Sequence, residues 1–189
     1  KSATGVTTSP VAKGTAGVEE TMGRETARAY LSVLARLMVV ENRPAWAPAM
    51  RSKVQLRSSP KRHFADPSLA VAALRSSPSK LLSDLESMGL LFESLVVRDL
   101  RVLSQPLDGQ VLHYRDNKGL EVDAVVTSGD GGWGAFEVKL GNSRVDDAAA
   151  TLLDFAKKID TTRCGEPGLP AVITATGSAY RRKHGGHVL

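Results

Sequence analysis

Apolar side chains follow two different spacings along the chain, and each spacing predicts its own kind of element. A period of three to four residues predicts helices over residues 24–39, 67–74, 80–103 and 143–159. Alternation of apolar and polar residues predicts strands over residues 109–116, 120–127 and 133–140. A last, mainly apolar strand, expected to be buried on both faces, follows over 169–174. The order helix, three strands, helix and strand indicates an α/β sandwich built on a mixed sheet.

The chain before this core has a different pattern. Pro44 ends the first helix, because a proline cannot continue the hydrogen-bond ladder. Short strands around residues 53–56 and 62–64 then enclose a basic loop. A helix followed by a basic hairpin is the outline of a winged-helix module.

Four residues with loop-forming side chains, Ser-Ser-Pro-Ser at positions 76–79, predict the boundary between two domains. We therefore expect a winged-helix-like segment with a flexible N-terminal lead-in over residues 1–75. The α/β domain is expected over residues 76–189. The length of 189 residues allows two small domains of this kind.

Composition narrows the class of protein. With 42% hydrophobic and 24% charged residues, the chain has the balance of a globular protein. Its apolar runs are all shorter than the roughly 20 residues that a membrane-spanning helix needs. Cys164 is the one cysteine, which excludes an internal disulfide framework and a cysteine-rich zinc site. We therefore expect a cytoplasmic protein without a membrane partner.

Basic residues are concentrated in one short stretch of a chain whose formal net charge is +5. The residues that we expect to bind nucleic acid through its phosphates are Arg51, Lys53, Arg57, Lys61 and Arg62. A second cluster lies near the end, over residues 181–184. The alternative, which the sequence leaves open, is that both clusters are solvated surface.

Two neighbouring strands carry acids and a lysine at alternate positions. Alternation places Glu121 and Asp123 on one face of the first strand, and Glu137 with Lys139 on one face of the second. The glycine-rich turn at 129–132 allows the strands to pair as a hairpin. We expect Asp123, Glu137 and Lys139 to converge, where carboxylates bind a hard cation such as Mg²⁺ and the lysine orients a water. The alternative is an ordinary charged strand face.

The helix before these strands adds a further acid. Glu93 falls between Val97 and Leu100 on a helical wheel, on the apolar side of the helix. A carboxylate there is costly unless a cation or hydrogen-bond donors meet it, so we expect Glu93 to complete the metal site. The alternative is that Glu93 lies at the edge of the apolar face and reaches water.

These elements resemble a known superfamily. Glu93, Asp123 and Glu137-Val138-Lys139, in this order of elements, are similar to the motif of PD-(D/E)XK nucleases, although Val122 stands where the named proline would be. More specifically, the chain resembles the uncharacterised C-terminal domain that follows an AAA-type P-loop ATPase in bacterial and archaeal proteins. The stretches that carry this resemblance lie at 44–46 (PAW), 61–70 (KRHFADPSLA), 89–96 (GLLFESLV), 113–116 (HYRD), 121–123 (EVD) and 136–139 (FEVK).

The resemblance implies a nuclease-like core after a winged-helix-like segment, and a Mg²⁺-dependent, DNA-cleaving domain attached to an ATPase. It implies that Glu93, Asp123 and Glu137 hold Mg²⁺ or Mn²⁺. The catalytic residues would be Asp123, Glu137 and Lys139. No P-loop motif occurs in these residues, so ATP hydrolysis is expected in an N-terminal part of the parent chain. The implied partners are DNA and that ATPase module.

Two other functions stay open at this point. In the first, the domain is a non-catalytic module that binds nucleic acid or protein and regulates or targets the attached ATPase. Asp123, Glu137 and Lys139 would then form a buried or half-buried ion network. In the second, the domain is a structural oligomerisation unit. Metal binding distinguishes the nuclease from both.

Overall fold

The computed structural model describes residues 23–48, 60–183 and 185–189 and has a mixed α/β fold. The helices are α1 (Arg24–Arg36), α2 (Pro67–Ala73), α3 (Pro78–Ser83), α4 (Leu85–Ser104), α5 (Val145–Lys158) and α6 (Thr161–Cys164). The strands are β1 (Val40–Arg43), β2 (Lys61–Phe64), β3 (Gln110–Arg115), β4 (Glu121–Thr127), β5 (Trp133–Lys139), β6 (Pro170–Thr174), β7 (Tyr180–Arg181) and β8 (His187–Val188).

A six-stranded mixed sheet forms the centre of the fold, in the order β3-β4-β5-β6-β8-β7. Strands β3, β4 and β5 pair antiparallel as successive hairpins, whereas β6 pairs parallel with β5. A parallel partner requires a crossover connection, and α5 lies within that connection. Strand β8 continues parallel to β6, and β7 closes the sheet antiparallel to β8. The predicted α/β class with a mixed sheet is confirmed.

The larger core lies between the sheet and α5. Phe155 of α5 is fully buried, and its ring centroid is 4.7 Å from that of Tyr114 and 5.9 Å from those of Trp46 and Trp133. Aromatic pairs at such distances contribute about 0.5–1.5 kcal/mol each beyond the burial of their surface. Both tryptophans are therefore packing residues that fix α5 against the sheet.

Helix α4 covers the opposite face of the sheet. Its Val97 is buried against Val111, Ala124 and Phe136 in a smaller apolar layer. Glu93 lies one helical turn before Val97, and residues four apart occupy the same side of a helix. The packing of α4 thus carries the Glu93 carboxylate over the same face of the sheet.

The hairpin of β1 and β2 is attached to the edge of the sheet at β3. Within the hairpin, Lys61 stands opposite Arg43. Immediately after β1, the Trp46 N–H donates to the His113 carbonyl at 2.6 Å, and the His113 N–H donates to the Pro44 carbonyl at 3.1 Å. These bonds pair an edge that would otherwise expose free backbone groups. They also hold the cations of the hairpin beside the sheet.

Two details of the predicted helices are wrong. The helix predicted over 80–103 is two helices, because Asp84 leaves the helical conformation and caps α4 by accepting from the Ser87 N–H at 3.1 Å. The three-residue spacing of Ser143 and Asp146 predicts a capping box at the start of the last long helix, but this box is not formed. A short 3-10 turn leads into α5 instead, and no side chain caps the start of that helix.

The sequence does not predict β1, β7 and β8, because strands of two to four residues are too short to show alternation. The strand predicted around 53–56 lies outside the described residues, as do the predicted contacts Arg51, Lys53 and Arg57. The domain boundary at 76–79 and the winged-helix-like character of the first segment stay predictions.

We expect Leu152→Ala to lower the free energy of unfolding by about 3 kcal/mol, because Leu152 of α5 is 2% exposed in the core. Leu103→Ala is the matched control, since Leu103 lies in α4 with 72% of its surface exposed. It should cost less than about 1 kcal/mol. Urea unfolding measures both values. Equal losses in the two variants would contradict the packing of α5 on the sheet.

Candidate functional site

A β-bulge in β4 sets the position of Asp123. The register of β3 and β4 shows one more residue on β4 than on β3 at this point. Val122 and Val125 consequently both pack toward α5, and Ala124 packs toward α4. Asp123 lies within the bulge, where its Oδ2 accepts a hydrogen bond from the Val138 N–H at 3.0 Å. Glu121 and Asp123 lie on one face as predicted, since both contact Lys61 Nζ. The alternation fails at Ala124, and bulges are known to redirect side chains in this way.

The end of β5 brings a second carboxylate and an amine to Asp123. Lys139 Nζ lies 2.6 Å from Glu137 Oε2 and 3.3 Å from Asp123 Oδ2. Glu137 is 5% exposed, whereas the side chain of Lys139 is 25% exposed. The structure thus brings the three residues of the predicted catalytic group together at one half-buried place.

Lys61 of the hairpin binds a further set of carboxylates. Its Nζ lies 2.8 Å from Glu93 Oε1, 3.3 Å from Glu121 Oε1 and 3.5 Å from Asp123 Oδ1. These acids belong to α4 and β4, so one ammonium group joins the hairpin, the helix and the sheet. Among the described residues, Asp123 is the acid that contacts two lysines, Lys61 through Oδ1 and Lys139 through Oδ2.

Arg43 and His63 form the buried side of this cluster. Arg43 is 4% exposed, and its Nη2 lies 3.5 Å from Glu93 Oε1. The ring of His63 lies 3.4 Å from Ser94 Oγ through Nδ1 and 3.8 Å from Glu93 Oε1 through Nε2. The Glu93 side chain is therefore enclosed by cations and an imidazole rather than extended into water.

Opposite charges dominate the ionisation of Asp123 and the two lysines. Burial alone would raise the pKa of Asp123, but Lys61 and Lys139 outweigh burial and hold this pKa below its usual value. Burial alone would lower the pKa of Lys61, yet Glu93 and Asp123 raise it above its ordinary value. The pKa of Lys139 is likewise raised, by Asp123 and Glu137 against burial. The centre of the site is thus an ion network at neutral pH.

Burial dominates the ionisation of Glu137 and His63. It raises the pKa of Glu137 to about 7, and the neighbouring Asp123 carboxylate adds to this rise. It lowers the pKa of His63 to about 3, with Arg43 and Lys61 acting in the same direction. His63 is therefore neutral at pH 7, and Glu137 exchanges its proton close to that pH.

The structure divides the residues predicted to bind nucleic acid. Of those that it describes, Lys61 is held by three carboxylates and its side chain is 28% exposed. Arg62 points to the other side of β2 and is exposed to solvent. Arg62 is therefore the described member of this group whose charge faces solvent.

Sequence reasoning missed three residues of the cluster. The pattern assigns Lys61 to phosphate contacts and gives Arg43 and His63 no role. A signal was present, because Lys61 and His63 lie two positions apart and so share one face of a strand. The acids that they meet depend on how the hairpin docks on the sheet, and no local pattern encodes that docking.

The donor atoms of the site fit a hard divalent cation in their chemistry. Carboxylate oxygens are the preferred protein ligands of Mg²⁺, and the contacts of Lys61 show that Glu93 and Asp123 already close on one positive charge. Within residues 23–48, 60–183 and 185–189, however, no group of three or more His, Cys, Asp or Glu side chains is arranged to hold a metal ion. A metal would have to take the place of an ammonium group.

Comparison with known proteins identifies two regions of the chain. Residues 88–189, more than half of the sequence, match the model of a domain of unknown function, DUF4143. Residues 3–80 match the model of a second domain of unknown function, DUF8612. The acids and Lys139 fall in the first match, and Lys61 and its neighbours in the hairpin fall in the second. No curated protein and no solved structure matches the chain.

None of the helices within the described ranges has both the length and the apolar character needed to cross a bilayer.

We expect Glu137→Gln to change how stability depends on pH. Burial and Asp123 raise the pKa of Glu137 from 4.5 to about 7, so the folded protein retains a proton that the unfolded chain has released. The free energy of unfolding should therefore fall, relative to the variant, by about 1–3 kcal/mol as the pH rises from about 5 to about 7. Urea unfolding with a metal chelator present measures this difference.

The comparison with the variant is needed because His63 has the opposite effect. Its pKa of about 3 lies below the unfolded value of 6.5, so its contribution to stability is lost as the pH falls through this range. Glu86→Gln, which removes an acid from an exposed position of α4, is the control. A difference between Glu137→Gln and the unaltered protein that stays constant with pH would contradict the raised pKa.

Proposed function

The chain belongs to the DUF4143 family of domains of unknown function, and we propose that it is a nuclease-like domain that cleaves phosphodiester bonds with a divalent cation. One observation carries the proposal. Asp123 Oδ2 and Glu137 Oε2 lie 3.3 and 2.6 Å from the same amine, Lys139 Nζ. Two acids and an amine at one half-buried place can bind a cation and stabilise developing negative charge.

The order of the elements supports the same proposal. Helix α4, the antiparallel strands β3 to β5, the crossover helix α5 and the parallel strand β6 follow the order expected of a PD-(D/E)XK core. Asp123 lies on the middle strand of the three and Glu137 with Lys139 at the end of the third. Because one fold can serve many functions, the proposal depends on the side chains of the site and not on the fold alone.

The residues have separate roles in the proposed reaction. Glu93, Asp123 and Glu137 would hold Mg²⁺ or Mn²⁺, which supplies Lewis-acid stabilisation of the scissile phosphate and an activated water. The Val138 N–H fixes the orientation of the Asp123 carboxylate through its bond to Oδ2. Lys139 places a positive charge where the attacking water and the phosphate meet, and so favours the more highly charged transition state.

The proposed substrate is DNA, bound through its backbone without base reading. Arg62 is exposed on the hairpin that borders the acid site, so it can contact a phosphate next to the bond that is cleaved. Arg51, Lys53 and Arg57 precede it in the chain and are proposed to bind phosphates as well. A P-loop ATPase module in the parent chain would deliver or move the DNA.

A second candidate function has its own supporting observation. The charges of the site nearly balance, because Arg43, Lys61 and Lys139 face four acids, one of which has a pKa of about 7. A balanced ion network needs no metal. In this case the domain is a non-catalytic module that binds nucleic acid or protein and regulates the attached ATPase.

We expect Asp123→Asn and Lys139→Met each to lower the cleavage of plasmid and single-stranded DNA by about a hundredfold or more. The assay contains Mg²⁺ or Mn²⁺ and follows the loss of intact DNA. Asp154→Asn is the matched control, since this side chain is 66% exposed on α5. It should cleave at the rate of the unaltered protein.

Calorimetric titration with Mn²⁺ distinguishes the two candidate functions. Binding that disappears in Asp123→Asn supports the nuclease. DNA binding without any Mn²⁺ binding supports the non-catalytic module. Cleavage at the same rate by Asp123→Asn and the unaltered protein would remove this site from the reaction.

A further inference from the structure

We propose that Lys61 is an internal cation that occupies the place of the divalent cation, so that metal binding requires Lys61 to leave the acids. The inference rests on the proposed function, because it concerns the regulation of that same site. In this arrangement the hairpin of β1 and β2 is part of the site, and the position of Lys61 determines when the site can bind a divalent cation. The second family match contains this hairpin, whereas the first contains the acids.

The contacts of Lys61 are those of a bound cation rather than of a surface ion pair. Three carboxylate oxygens, from Glu93, Glu121 and Asp123, lie between 2.8 and 3.5 Å from one nitrogen. Hard cations are held in proteins by such convergent carboxylate oxygens. A paired surface lysine, such as Lys157 with Asp154, has one acid partner here and a side chain that is 75% exposed.

The same contacts explain why a metal ion does not fit beside Lys61. Both oxygens of Asp123 are engaged, Oδ1 by Lys61 and Oδ2 by Lys139 and the Val138 N–H. Glu93 Oε1 is shared between Lys61 and Arg43. An added divalent cation would be repelled by these positive groups at close range. The release of Lys61 removes the positive charge closest to Glu93 Oε1, 2.8 Å away, and frees Asp123 Oδ1 at the same time.

Lys61 is able to leave without unfolding the core. It is the first residue of β2, and 28% of its side chain is exposed. The ammonium group ends a flexible four-carbon chain, so rotation about side-chain bonds can move it into solvent. A nearby DNA phosphate would offer it a new partner of the same charge as the acids. Arrival of DNA and entry of the metal are thereby coupled through one side chain.

The competition between Lys61 and metal determines the affinity of the site. Lys61 is attached to the protein, so its effective concentration at the acids is high and constant. A free cation has to displace it, which weakens the observed affinity relative to acids without a tethered competitor. Removal of the Lys61 charge should therefore strengthen metal binding, the reverse of what removal of a ligand does.

The test is Mn²⁺ affinity in Lys61→Met, measured by calorimetry and by the spin-resonance signal of free Mn²⁺. We expect binding tighter than in the unaltered protein by about tenfold or more, which corresponds to about 1.4 kcal/mol. Lys80→Met is the matched control, since it removes the same charge from an exposed position of α3. It should leave the affinity unchanged. Adding Asp123→Asn to Lys61→Met should abolish the gain.

The outcomes separate this inference from the proposed function. Equal Mn²⁺ affinity in Lys61→Met and the unaltered protein overturns the inference and leaves the nuclease proposal standing. Weaker binding in Lys61→Met also overturns it. Absence of Mn²⁺ binding in both proteins overturns the inference together with the metal-dependent function. Tight Mn²⁺ binding by Lys61→Met without DNA cleavage supports the inference that the metal ion replaces Lys61. It contradicts only the proposal that the domain cleaves DNA.

A second measurement applies if Lys61→Met does not fold in a metal-free buffer. Without the ammonium group of Lys61, the acids would then repel one another, and Mn²⁺ should supply the missing positive charge. We expect circular dichroism to show recovery of the native spectrum, or a rise in the melting temperature larger than in the unaltered protein, when Mn²⁺ is added. Failure of Mn²⁺ to restore or stabilise the variant overturns the inference.

Discussion

The carboxylate of Asp123 lies between two ammonium groups, with Lys61 3.5 Å from Oδ1 and Lys139 3.3 Å from Oδ2. An acid removed from water in this way costs several kcal/mol unless charges and donors surround it. The fold meets this requirement from three directions at once. The bulge in β4 turns the carboxylate, the end of β5 supplies one lysine and a backbone N–H, and the hairpin supplies the other lysine.

The docking of the hairpin follows from the same requirement. Glu93 is carried over the sheet by α4 and would be a half-buried acid without a partner, but Arg43 and Lys61 approach it from β1 and β2. The backbone bonds of Pro44 and Trp46 to His113 hold the hairpin at the edge of β3. Removal of one partner from a buried ion pair leaves an uncompensated charge, so the hairpin and the α/β core depend on each other.

Much of the acid side of the site was predictable from sequence. Asp123, Glu137 and Lys139 belong to neighbouring strands joined by a glycine-rich turn, and the pairing of such strands is a local matter. The bulge was not predictable, because one extra residue on β4 is visible only in the register with β3. The cationic side, with Lys61, Arg43 and His63, depends on contacts between residues that are far apart in the chain. Alternation along β2 places Lys61 and His63 on one face, but it does not indicate which acids they contact.

The sequence by itself determined the class of fold, because helical and alternating patterns are read from neighbouring residues and the crossover helix requires a parallel strand. It also determined which residue types were available for a charged site. Only the tertiary structure decided that Lys61 belongs among the acids instead of on a basic surface. The physical reason is that the partner of a charge is selected by distance and burial, and both are set by the packing of the hairpin and α4 on the sheet.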